Sequence, residues 1–381
     1  MPQPITHYYV AENAYQRMPA LKELWKKYEN YATLGSIFPD MFYFSGIPKM
    51  MFLTGKHYPY DYQKISDIIH WECILDLYFN MLDIIKKLPK GEKKDKLMAF
   101  AYGVASHYIT DSNVHPFVYT KTGDHPFNHP DKNLTEHKSL ESLIDLEILG
   151  HRGTTYFEFG YDEKIECHKK GTDRTLDSDI FKLIIEGMEK TYGSMDLSMH
   201  GIDYNQQFRA FEGLPSHPVL ESYRDIISIY RHISQHPFLV KTYGFLGFLV
   251  PKRFEVLLPK TKIVATDLHK TDAQPPEPWI EYPADRRLPI PSLSVHQLIE
   301  LSVLDTIAVM HESEGFLNSV YDSAHKYFED NPSITPFLRS NINLDTGKFS
   351  KWNDTIRQKK TPADILTVGL GELINRYNQP R

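Results

Sequence analysis

Residues 99–111 read Ala-Phe-Ala-Tyr-Gly-Val-Ala-Ser-His-Tyr-Ile-Thr-Asp. The first seven of these residues are small or apolar, which is typical of a helix buried in a core. His107 and Asp111 stand four residues apart, so on a helix they share one face, one turn apart. An unpaired carboxylate in such surroundings is costly. The pair is therefore predicted to be compensated, either by a shared divalent metal ion or by a buried His–Asp hydrogen bond.

Helical patterns extend on both sides of this segment. Apolar residues at three- and four-residue steps predict one helix from Ser66 to Leu88, and a second runs from Lys93 to about Val118. Thr135 is predicted to cap a helix that reaches Leu149. Asp177 or Ser178 is predicted to cap the next helix, which ends at Tyr192. Leu220–Ile233 is a further candidate.

The character of the chain changes after residue 240. Prolines are dense around Pro275, Pro276 and Pro278, which predicts an irregular excursion over residues 241–293. Ser294 then caps a long helix reaching about Phe328, and Thr361 opens the last helix. We find neither a strong hairpin pattern nor a fixed-period repeat. The sequence thus predicts an all-α fold in one compact domain, with a metal-binding core over 1–240 and C-terminal helices over 294–381 packed on it.

Composition limits the function classes. The 381 residues can bury a sizeable core, and their net charge of −6 argues against binding duplex nucleic acid. Cys73 and Cys167 are the only cysteines, which excludes a disulfide framework and a Cys-rich zinc site. No apolar run approaches the roughly 20 residues of a membrane span. The first residues show no leader pattern, so we expect a cytoplasmic protein, or a secreted one if a leader has been removed.

Histidines are concentrated around the opening segment. Five of the chain's 18 lie between positions 107 and 137, namely His107, His115, His125, His129 and His137. His115 lies two turns beyond His107, and His137 with Glu141 repeats the four-residue spacing. Two such helices packed together would bring several ligands to one buried site. Six His-x-x-x-acid pairs occur in the chain, and most are expected on solvated faces or in surface ion pairs.

Four motifs occur together in order. They are Leu-Gly-Ser-Ile-Phe-Pro-Asp at 34–40, the segment 99–111, His115-Pro116, and His137-x-x-x-Glu141. This set resembles the bacterial zinc-dependent phospholipase C family, whose all-α fold is shared with the S1/P1-type nucleases. The strong part of the resemblance covers His7 to about Leu149.

The resemblance implies two or three zinc ions in one cleft. In this resemblance Asp111 bridges two metals, and Asp40 serves as ligand, general base or both. The ligands that the motifs assign are His7, Asp40, His57, His107, Asp111, His115, His137 and Glu141. His70 is the rival of His57, although its amphipathic helix favours a structural role. His125 or His129 is the alternative to His115.

One departure concerns the N-terminus. In secreted members of the family a mature N-terminal tryptophan binds a metal, whereas here Trp25 is the first tryptophan. The site served by His7 therefore lacks that ligand.

The implied reaction is hydrolysis of a phosphodiester by metal-activated water, which would convert a phospholipid to diacylglycerol and a phosphorylated headgroup. Two alternatives stay open. The same cleft could act on a non-lipid substrate such as single-stranded nucleic acid, a soluble phosphoester or a metabolite, or the protein could bind metal without catalysis. Transient membrane contact and the oligomeric state are left undetermined by the sequence.

Overall fold

The computed structural model describes residues 4–44, 63–71, 73–122, 134–165, 176–193, 294–331, 333 and 336–338. All regular secondary structure in these ranges is helical, which confirms the predicted all-α class. Several predictions lie outside the described residues: the helices over 220–233 and from Thr361, the excursion over 241–293, His57, His125, His129 and Cys167.

Eleven α-helices and two 3₁₀ turns make up the described part of the chain. In chain order the α-helices are α1 Pro4–Arg17, α2 Pro19–Met41, α3 Gln63–Trp71, α4 Ile74–Lys86, α5 Glu92–Thr122, α6 Leu134–His151, α7 Tyr156–Phe159, α8 Tyr161–Lys164, α9 Ser178–Tyr192, α10 Val295–Leu317 and α11 Ala324–Asp330. The 3₁₀ turns are Phe42–Phe44 and Pro336–Leu338. None of these helices combines the length and hydropathy that a membrane span needs.

Two predicted helices are each divided in the structure. The single helix predicted from Ser66 to Leu88 is wrong, because Cys73 adopts a left-handed conformation with φ of 54° between α3 and α4. The helix predicted from Ser294 to Phe328 ends at Leu317, and α11 begins after Ser323. In both places the apolar periodicity of the sequence continues although the helix is interrupted.

The predicted helix caps agree with the structure better than the predicted helix lengths do. Ser294 Oγ accepts a hydrogen bond from Gln297 N at 3.3 Å while Gln297 Oε1 accepts from Ser294 N at 2.8 Å, so Ser294 caps α10. Asp177 caps α9 by accepting from the backbone N–H groups of residues 179 and 180. Thr135, by contrast, lies inside the first turn of α6, which begins at Leu134.

The core is organised around α5. Helices α1, α2, α4, α6 and α10 all pack against it. Where α2 crosses α5, Gly35 and Gly103 let the two backbones touch: a Cβ atom on Gly35 would lie 2.0 Å from the carbonyl oxygen of Phe100. This crossing sets the positions of Asp40 on α2 and of His107 and Asp111 on α5.

The start of α1 is held by a carboxylate from α6. Asp145 accepts hydrogen bonds from Ile5 N at 3.0 Å, Thr6 N at 2.8 Å and Thr6 Oγ1 at 2.6 Å. It therefore supplies acceptors for backbone N–H groups in the first turn of α1. Burial raises the pKa of Asp145 to about 7. The contact fixes α1 one residue before His7.

Candidate metal centre

Four buried side chains from three helices form what we call the central cluster: Asp40, His70, His107 and Asp111. Each offers a ligand atom within 4.8 Å of the others. His107 Nε2 lies 3.1 Å from Asp111 Oδ2 and 3.7 Å from Asp40 Oδ1. His70 Nε2 lies 3.1 Å from Asp40 Oδ1 and 3.4 Å from Asp111 Oδ2.

The outer nitrogen of each imidazole in the central cluster is anchored to a backbone carbonyl. His107 Nδ1 lies 2.9 Å from the carbonyl oxygen of Ser36, and His70 Nδ1 lies 2.7 Å from that of Ser66. Because a carbonyl can only accept, each Nδ1 carries the proton. Burial lowers the pKa of His107, so its ring is neutral and Nε2 presents a lone pair to the cluster.

His7 adjoins the central cluster from α1. Its Nε2 lies 3.3 Å from Asp111 Oδ1 and 3.8 Å from Asp40 Oδ2. The ring stacks on His107 with centroids 4.2 Å apart. Neither ring nitrogen of His7 has a hydrogen-bond partner among the described residues, although the side chain is fully buried. Such a ring is available as a metal ligand.

A second group, the distal cluster, consists of His115 on α5 with His137 and Glu141 on α6. Glu141 Oε1 lies 2.9 Å from His137 Nε2 and 3.6 Å from His115 Nε2. Burial lowers the pKa of His137 to about 4, which keeps its imidazole neutral at pH 7. Asp111 lies between the two clusters, since its Oδ1 is 3.8 Å from His115 Nε2.

The donor set fits a metal ion better than a hydrogen-bond network. Ligand atoms about 2.0–2.2 Å from a tetrahedral zinc lie about 3.3–3.6 Å apart, and three contacts have that length: His7–Asp111 at 3.3 Å, His70–Asp111 at 3.4 Å and His115–Glu141 at 3.6 Å. Lone pairs of His70 and His107, with Nε2 atoms 3.4 Å apart, would repel without a cation between them. Both oxygens of Asp111 also lack a hydrogen-bond donor among the described residues.

The charge state of Asp111 supports the same conclusion. Its carboxylate is fully buried, and the neutral ring of His107 cannot balance its negative charge, whereas a bound cation would. Asp40, Asp111 and Glu141 thus place three carboxylates in the core. Buried charge of this kind is found paired or bound to metal. Imidazole and carboxylate ligands without thiolate suit catalytic zinc, which keeps a coordination position open.

The structure brings together seven of the eight residues assigned by motif: His7, Asp40, His107, Asp111, His115, His137 and Glu141. The eighth, His57, lies outside the described residues. His70, interpreted from sequence as structural, lies instead within the central cluster. Its amphipathic helix gave no signal of this, because a buried histidine faces whatever its helix packs against, and α3 packs on α2 beside Asp40.

These features define a protein that is helical in its described part and carries a buried histidine–carboxylate cluster able to hold metal. Residues 6–194, about half of the chain, match the family model of zinc-dependent phospholipase C, and all seven clustered residues lie in that range. Through this region the chain belongs to the zinc-dependent phospholipase C family.

Shorter segments are similar to phosphatidylinositol-glycan-specific phospholipase D. The Bos taurus protein is 31% identical over 94 residues, which are 25% of this chain and 10% of that protein. The Mus musculus protein is 29% identical over 101 residues, 26% of this chain and 11% of that protein. The match thus spans about a tenth of these relatives' length. No solved structure matches the chain. The family description and the names of these relatives are both those of phospholipases.

Proposed function

We propose that the chain hydrolyses a phosphodiester bond of a phospholipid, using two or three zinc ions held by the central and distal clusters and His7. The observation that carries this proposal is the environment of Asp111. Its fully buried carboxylate faces the Nε2 atoms of four imidazoles, from His7, His70, His107 and His115, at 3.1–3.8 Å. A carboxylate so placed would hold metal ions together with these imidazoles.

Zinc bound here would supply Lewis acidity, which lowers the pKa of water towards neutrality and stabilises charge at phosphorus. The side chains of this protein fix the geometry of that chemistry. Carbonyls of Ser36 and Ser66 orient His107 and His70, so that each Nε2 points into the cluster. Asp145 holds the start of α1 and so keeps His7 in place.

Asp40 is proposed to receive the proton released by the attacking water. Its side chain is 8% exposed, whereas those of Asp111, His7, His70 and His107 are fully buried. Asp40 therefore lies at the solvent side of the cluster, where water and substrate arrive. The same carboxylate can also bind metal, because Oδ1 lies 3.1 Å from His70 Nε2.

A lipid substrate is supported by the family description and by the names of the relatives, which are phospholipases. The two names differ in the bond that is cleaved. We propose cleavage on the glycerol side of phosphorus, which releases diacylglycerol and a phosphorylated headgroup.

The test incubates zinc-loaded protein with vesicles of phosphatidylcholine and phosphatidylinositol and separates the products. Diacylglycerol that disappears in EDTA and in Asp111→Asn supports the proposal. Phosphatidic acid would show the other bond to be cleaved. Turnover of single-stranded DNA or p-nitrophenylphosphorylcholine, with intact lipid, would favour a non-lipid substrate. No turnover of any substrate by protein with full zinc content would leave a non-catalytic metal protein.

A further inference from the structure

A third group of ligand side chains lies away from the metal centre, where the end of α6 meets the start of α10. Glu147 and His151 stand four residues apart on α6, and His296 lies in the first turn of α10. Each offers a ligand atom within 4.8 Å of the others. Glu147 Oε1 lies 3.5 Å from His151 Nε2 and 3.7 Å from His296 Nε2.

These distances distinguish hydrogen bonding from the binding of a shared metal ion. N–H···O hydrogen bonds are about 2.7–3.2 Å long, so both contacts exceed them. Two ligand atoms on one tetrahedral zinc lie about 3.3–3.6 Å apart, which is close to both values. The imidazole rings are perpendicular, at 88°, with centroids 4.9 Å apart.

The surroundings favour a cation with open coordination positions. The side chains of Glu147, His151 and His296 are 24%, 62% and 33% exposed, so water can complete the shell. His151 and His296 border a groove of about 1370 Å³ that Glu300, Glu312 and Glu314 also line. Arg17, the one Arg or Lys among the described residues that line the groove, is held in a bidentate pair by Glu300. The local charge is therefore acidic.

We propose that Glu147, His151 and His296 bind a divalent transition-metal ion of the zinc class and that this ion links α6 to α10. This outer site is distinct from the metal centre. The pairs His137–Glu141 and Glu147–His151 are ten residues apart on α6, about 15 Å along its axis. Helix α10 also lies beyond residues 6–194, so the site depends on a part of the chain outside the family match.

The test is the zinc content of the full chain, measured by mass spectrometry after saturation and gel filtration. His151→Ala and His296→Ala are each expected to bind one equivalent less than wild type. His311→Ala removes an exposed histidine of the same groove and is the matched control, expected to keep the wild-type content. Substitutions at exposed sites such as His151 seldom disturb folding. Added zinc should also raise Tm in wild type and in His311→Ala more than in His151→Ala.

Equal zinc content in wild type, His151→Ala and His296→Ala would overturn the proposal. An equal loss in His311→Ala would do so as well, because it would assign the effect to the charge of the groove. Asp111→Asn separates this site from the metal centre. This variant is expected to lose the ions of the central and distal clusters and to keep the ion of the outer site. The outer site and the metal centre can therefore be confirmed or contradicted independently.

Discussion

Gly35 on α2 and Gly103 on α5 lie against each other, and neither position has room for a side chain. A Cβ on Gly35 would lie 2.0 Å from the Phe100 carbonyl oxygen, and one on Gly103 would lie 2.2 Å from that of Ala32. The close approach brings the Ser36 carbonyl within 2.9 Å of His107 Nδ1. The packing of two glycines thus orients a proposed metal ligand.

Gly35→Ala is expected to destabilise the protein and weaken zinc binding. The new methyl group would meet backbone atoms, which cannot rotate away, so the helices must separate. Overpacking of this kind costs about 1–3 kcal/mol. Urea denaturation measures the loss. Gly150→Ala is the control, because nothing lies within 4 Å of its added Cβ and alanine favours a helix by up to about 1 kcal/mol. Equal urea midpoints for Gly35→Ala and wild type would contradict the close crossing.

His70→Ala is expected to lower zinc affinity by at least about tenfold, because it removes a nitrogen 3.1 Å from Asp40 and 3.4 Å from Asp111. A zinc titration with a competing chelator measures this. His325→Ala is the matched substitution away from both clusters, since His325 pairs with Asp76 at 3.1 Å and packs on Phe79. Unchanged affinity in His70→Ala would return His70 to the structural role first inferred from sequence.

Asp305 is expected to make stability fall as pH rises from about 4 to about 7. Burial raises its pKa from 3.8 to about 7 in the folded protein. Well below pH 4 the carboxyl is protonated in both the folded and the unfolded state, so it does not affect stability. Above that, the unfolded state ionises first and gains stability, by up to about 4 kcal/mol at pH 7 for a shift of this size.

Asp305→Asn should remove that dependence, since an amide does not titrate and can still meet Asn113, whose Nδ2 lies 3.0 Å from Asp305 Oδ2. The measurement compares urea unfolding free energies of both proteins at pH 4.5 and pH 7.5. The variant should gain relative to wild type at the higher pH. A constant difference between the two proteins at both pH values would contradict the raised pKa.

Local spacing predicted the pairs that share one helix. His107–Asp111 and His137–Glu141 could be paired from sequence because a helix fixes the geometry of residues four apart. The same rule is not specific. His296 and Glu300 have this spacing too, yet Glu300 binds Arg17, and His296 lies nearest Glu147 of another helix.

Contacts between different helices could not be predicted from the spacing of residues along the sequence. The meeting of His70 with Asp40 depends on how α3 packs against α2, which no periodicity specifies. The break at Cys73 was missed because a single left-handed residue leaves the apolar pattern intact. The pair Glu147–His151 has the same four-residue spacing with the acidic residue first, and its neighbour His296 lies on another helix, which spacing does not reveal. His7 and Asp40 came from family resemblance, and spacing alone would not have joined them.

The central claim is that imidazoles and carboxylates of the two clusters hold shared zinc ions through Asp111. The most direct measurement is the zinc content of purified wild-type protein and Asp111→Asn, with His325→Ala beside them. Our account predicts at least two equivalents in wild type and in His325→Ala, and loss of the inner ions in Asp111→Asn together with a fall in activity of at least about 100-fold. Full zinc content in Asp111→Asn, or a wild-type protein that binds no zinc, would contradict it.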